Sequence, residues 1–89
     1  MKRKMKNSKT IIIAIIGIIL ENRNNVEVLN RTLSDFGGYI IGRMGVPYKE
    51  KNVNIISVAI DAPIDVINEL NDKIGKIEGI SVNTVCSNE

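Results

Sequence analysis

Residues Ile11 to Leu20 read IIIAIIGIIL, with MKRKMKNSKT before them and ENRNN after them. Whether that run is a membrane segment, a secretory leader or a buried strand decides the fold. From Thr10 to Leu20 it offers eleven residues, and a helix needs about 20 to cross a bilayer, so a transmembrane span is excluded. A basic start followed by a short apolar run is also the outline of a signal peptide, but such a leader ends in a small-residue cleavage site. Here Glu21-Asn22-Arg23-Asn24-Asn25 follows instead. The run is dominated by Ile, whose β-branched side chain suits an extended strand buried on both faces. It is therefore read as a strand, from about Lys9 to Leu20.

Downstream, Val26, Leu29, Leu33 and Phe36 fall on one helical stripe, and Asn24 with Glu27 three residues on has the form of a capping box. Gly37-Gly38 is predicted to stop this helix by taking up left-handed backbone. Tyr39 to Tyr48 is extended but interrupted by Gly42, Gly45 and Pro47, which marks an irregular strand near a sheet edge. Lys49 to Asn52 makes a polar turn. Val53 to Ile60 is a strand with Ile56, Val58 and Ile60 on one face and Val53, Ile55, Ser57 and Ala59 on the other. Pro63 is placed to start a second helix, carried by Ile67, Leu70, Ile74 and Ile77, which Gly75 ends or frays before Ile77. Gly79 opens the last turn and Ile80 to Val85 is the final strand. Residues 1–8 are expected to be a basic tail, 9–86 the domain and 87–89 a short C-terminal tail.

The order βαββαβ in so short a chain has one compact solution, an α+β ferredoxin-like sandwich in which a four-stranded antiparallel sheet carries both helices on one face. The first and third strands are nevertheless apolar on both faces. With no chain left to cover the open face, another copy is the expected cover, which predicts a homo-oligomer, dimer or tetramer, packed through the sheet.

Composition narrows the chemistry. A chain of 89 residues, 44% hydrophobic and 25% charged, makes one small domain. With no Trp, one Phe and two Tyr its core lacks large aromatic anchors, so oligomerisation is expected to help it. One Cys excludes an internal disulfide, and no His together with that Cys leaves neither the usual zinc, nickel or copper ligands nor a His-based catalytic dyad or triad. No cofactor, no metal and no catalysis are expected, and the protein is read as cytoplasmic. Lys2, Arg3, Lys4, Lys6 and Lys9 concentrate positive charge ahead of a mildly acidic body.

Arg43-Met44-Gly45-Val46-Pro47-Tyr48, then Asn54 to Val58 (NIISV), Leu70 to Gly75 (LNDKIG) and Ile77 to Val82 (IEGISV) resemble the small iron-only hydrogenase system regulators, over nearly everything from Thr10 to Val85. That family looks like a stand-alone ACT-like domain, similar in fold to the C-terminal ligand domain of the nickel-responsive repressor. The resemblance implies an oligomeric regulatory domain acting in transcription or in control of a metalloenzyme system. The chain departs from the repressor: only Met1 to Lys9 precede the first strand, where a DNA-reading domain would stand, and no His is present for its nickel site. It also lacks the acidic-x-Pro-Gly-like turn of amino-acid-binding ACT domains, carrying Glu21 to Asn25 there.

Five residues are candidates for a ligand site. Arg43 presents a guanidinium able to hold a carboxylate or phosphate with paired hydrogen bonds, and Gly45 would admit a ligand close to the backbone. Asn22, Asn24 and Asn25 lie in the loop where ACT-type domains meet their effector, beside the amides of a helix N-terminus. Against this stand an interface Arg, a bulge glycine and a capped turn. Cys86 has neither His nor a neighbouring cation in the sequence to activate it and is read as inert. The expected function is a non-catalytic oligomeric regulator that binds a small effector or a partner protein at a subunit interface. The alternative is a transcription factor touching DNA through basic N-terminal arms, a contact that five charges on a tail support only weakly.

Overall fold

The computed structural model describes residues 10–87. The chain runs through strand β1 (Ile11–Leu20), helix α1 (Val26–Asp35), strand β2 (Ile40–Tyr48), strand β3 (Val53–Pro63), helix α2 (Ile64–Gly75) and strand β4 (Ile80–Cys86). All strand pairs are antiparallel, in the order β2-β3-β1-β4. This is the ferredoxin-like α+β sandwich that the periodicities predict. The order puts β1 and β3, the two strands apolar on both faces, in the middle of the sheet.

Alternation then sorts the side chains. Along β1, Ile12, Ala14, Ile16, Ile18 and Leu20 are buried under the helices, while Ile11, Ile13, Ile15 and Ile19 stand on the opposite face. On β3 the buried set is Ile56, Val58, Ile60 and Ala62. The helices close this layer with Leu29 and Leu33 from α1 and Ile67, Leu70 and Ile74 from α2, so one core lies between the helices and one side of the sheet. Among the described residues no polar or charged one is buried in it. Nearly all of β2 is exposed, as befits an edge strand, and its register against β3 shifts between Ile40 and Gly42, the irregularity foreseen from its glycines.

The local details depart from expectation at three places. Asn24 and Glu27 form no capping box: a 3₁₀ turn, Arg23–Asn25, precedes α1, and Asn22 caps that turn by accepting the Asn24 N–H at 3.0 Å. The glycines after α1 do not turn left-handed. Phe36 ends the helix, its N–H donating to Leu33, and Gly37–Tyr39 continue as a second 3₁₀ turn. Among the described residues the left-handed glycine is Gly79, with φ 83°. Finally, β3 runs three residues past Ile60 to pair with the start of β1, so Pro63 flanks α2 and does not open its first turn. Its missing N–H is harmless there, because helix N-termini leave their first donors unpaired in any case. The basic tail, including Lys9 where the first strand was expected to begin, lies outside the described residues. Among the described residues no helix is long and apolar enough to cross a membrane.

Candidate functional site

The uncovered side of the sheet is one apolar surface. Ile11, Ile13, Ile15 and Ile19 of β1, Met44, Val46 and Tyr48 of β2, Ile55 of β3 and Val85 of β4 all stand on it, between 40% (Tyr48) and 70% (Val85) exposed. Among the paired strand residues only Asp61, near the end of β3, places a charge on this side. The surface is not flat. Met44, Ser57, Gly17 and Asn83 align across the four strands as a row of smaller or more flexible side chains. Around Gly17 it dips into a depression of about 530 Å³ whose walls include Ile19, Ile55, Ser57 and Asn83.

Arg43 and Gly45 lie on the other side of β2, because residues two apart in a strand share a face and their neighbours Met44 and Val46 take the opposite one. There β2 runs beside α1 and leaves a groove. Arg43 bridges it, donating from Nη2 to Asn30 Oδ1 at 3.0 Å. A cavity of about 290 Å³, lined by Asn30, Leu33, Ser34, Gly37, Ile40 and Arg43, lies to one side of this bridge. A second of about 230 Å³, reaching Val26, Gly45, Pro47, Asn54 and Ile56, shares Arg43 and Asn30 with it. Neither cavity has an acidic side chain in its lining. Among the described residues the ion pair is Lys73 with Glu69 at 3.8 Å, far from this groove in the chain, and Arg43 has no carboxylate partner. A side chain placed at Gly45 would meet Ile56 Cγ1 at 3.8 Å, ordinary contact, so the glycine leaves the groove open without being sterically required.

The Asn loop has a different employment. Asn22 Oδ1 caps the 3₁₀ turn, and Asn25 Nδ2 donates to the Glu78 carbonyl at 2.7 Å. The Glu21 N–H donates to the Gly79 carbonyl at 2.7 Å, so the loop is laced to the turn before β4. None of Asn22, Asn24 and Asn25 lines either cavity beside Arg43. Of the five candidates, therefore, the structure unites Arg43 with Gly45 and leaves the three asparagines elsewhere. Next to that loop Arg23 Nη1 donates to Asn52 Oδ1 at 3.2 Å, tying it also to the β2–β3 hairpin. Cys86 is exposed at the end of β4.

Sequence reasoning passed over Asn30, Asn54 and Gly17. Asn30 carries a readable signal, since Asn is a poor choice inside a helix unless its amide has a partner. Gly17 has one too: glycine inside a strand marks a place where something approaches the backbone closely. Asn54 has none, its strand position being ordinary.

A family model described as "TM1266-like: Iron-only hydrogenase system regulator, putative" matches residues 12–84. The structure of the uncharacterized TM1266 protein of Thermotoga maritima superposes with a TM-score of 0.83 at 29% identity, covering 86% of this chain and 98% of that one. A formyltetrahydrofolate deformylase from Pseudomonas putida KT2440 shares the fold alone, with a TM-score of 0.62 at 16% identity, and this chain spans only 29% of its length. No curated protein matches the sequence.

Proposed function

The chain belongs to the TM1266-like family of iron-only hydrogenase system regulators, and from that premise we propose that it is a non-catalytic regulatory domain that works as a homo-oligomer packed through its open sheet face. The observation that carries this is the apolar face itself. A stable interface takes roughly 800 Å² from each partner, and nine side chains of this size, each about half uncovered, supply area of that order. Monomers seldom leave apolar patches much above a few hundred Å² in water. A two-fold dimer is the simplest closed arrangement, since one self-complementary surface satisfies both copies and leaves none exposed. A regulator built this way has two kinds of surface, the joined sheet faces and the helix-side grooves, through which an effector or a partner protein can act.

The test is light scattering on size-exclusion fractions of the full chain and of Ile15→Glu and Ile55→Glu variants. Both side chains are about half exposed in the single copy, so the substitutions spare the monomer's core, which circular dichroism verifies. A wild-type dimer or tetramer that falls to monomer in either variant supports the reading. A monomeric wild type at high protein concentration ends it.

A further inference from the structure

We propose that the groove between α1 and β2 binds a small organic oxyanion, with Arg43 holding the anionic end and Gly45 flooring the space for an apolar tail. The donor set is already oriented. Asn30 Oδ1 accepts one Arg43 N–H at 3.0 Å, which turns the guanidinium toward the groove and leaves its other donors for a ligand. The same bond turns the Asn30 amide so that its NH₂ group points away from Arg43, and Asn54 lines the adjoining cavity. A planar, five-donor fork matches the two oxygens of a carboxylate or phosphate better than any neutral group.

The walls choose among anions. The cavity on the Gly45 side also has Val26, Pro47 and Ile56 in its lining, which favours a short hydrocarbon chain attached to the anionic group. No carboxylate lines either cavity, so an ammonium beside the bound carboxylate would stand near the Arg43 cation with no protein counter-charge. A zwitterionic amino acid is thereby disfavoured against the acid that lacks its ammonium. Alternation along β2 keeps this groove clear of the open sheet face, so it remains accessible in a sheet-packed dimer. Only the naming of the bound molecule as the effector rests on the regulatory reading; the binding does not.

The experiment follows the Arg43 Nε–H resonance of the isotope-labelled full chain by NMR at constant ionic strength, using isovalerate, valine and inorganic phosphate as probes and chloride as control. Isovalerate is expected to move this resonance saturably, with valine, identical but for its ammonium, at least tenfold weaker. Phosphate tests the anionic end alone. Saturation by isovalerate only assigns a carboxylate ligand, and saturation by phosphate only assigns a phosphate. Arg43→Lys should weaken binding roughly tenfold or more, the scale of losing a charge-assisted hydrogen bond. Gly45→Ala, whose Cβ would meet Ile56 Cγ1 at an ordinary 3.8 Å, should weaken isovalerate and leave phosphate unchanged. A resonance that follows ionic strength alone, or undiminished binding followed through neighbouring amides in Arg43→Gln, overturns the site; valine binding as tightly as isovalerate overturns the exclusion of zwitterions. Light scattering on the same variants keeps this outcome separate from that of the oligomer.

Discussion

Of the described glycines, Gly79 has the least room for a side chain. Its φ of 83° lies where side chains are rarely found, and a Cβ there would stand 2.5 Å from Asn22 Cβ, with the Asn22 backbone nitrogen at 3.1 Å. Neither obstacle is the free end of a flexible chain. Gly79→Ala is therefore expected to destabilise the fold by about 1 to 3 kcal/mol, read from the urea midpoint, and to loosen the Glu21–Gly79 and Asn25–Glu78 bonds with it. Tyr48 shows a second local effect. Its hydroxyl donates to Glu50 Oε1 at 2.6 Å, and that bond, aided slightly by desolvation, holds the phenol above its ordinary value of 10.0. A raised folded-state value means that the contribution is complete below the ordinary tyrosine range and is lost as pH rises through the higher folded value. Glu50→Gln should bring the tyrosinate absorbance titration of this residue back down; an unmoved titration would contradict the bond.

At the scale of elements, β1 shows how one strand serves two surfaces. Ile16 is fully buried beneath the helices, whereas its neighbour Ile15 is 51% exposed on the open side. Ile16→Ala should cost about 2 to 5 kcal/mol in chemical denaturation, the usual range for emptying a buried site. Ile15→Ala should cost the single domain far less and instead weaken association. Equal effects from the two would mean that the open face is covered within one chain. The same division appears on β2, which turns Arg43 and Gly45 toward α1 and Met44 and Val46 away from it. These alternations were legible, because the period of a strand is two and needs no knowledge of neighbours. The Asn24–Glu27 capping box was misread for the opposite reason. Its pattern is local, but the chain folds an extra 3₁₀ turn ahead of α1, and that turn takes Asn22 as its cap.

For the whole molecule, the small core and the bare sheet face belong together. A domain of this size buries a modest fraction of its surface, and a second copy adds burial where the first has none left to give. If the sheet faces join, stability must depend on protein concentration, so the thermal midpoint of the wild type should rise on concentration and that of Ile15→Glu should not. An invariant wild-type midpoint would place the open face in water. The acid-free Arg43 groove lies on the opposite side of the sheet, and a molecule bound there touches β2, a strand whose other face belongs to the proposed interface.

By itself the sequence determined the order of the elements, the two faces of each central strand and the grouping of helices on one side. Each of these follows from periodicity over ten or so residues together with the short connections between elements. Tertiary structure alone decided what the polar residues do. Asn25 meets the Glu78 carbonyl 53 positions along the chain, and Asn30 meets Arg43 across 13. Such pairs are made by how α1 settles against the sheet, which no local pattern encodes. The left-handed turn likewise went to Gly79 and not to Gly37 or Gly38, because at Gly79 the chain must pass against Asn22, whereas nothing lies within 4 Å of a side chain placed at either of the others.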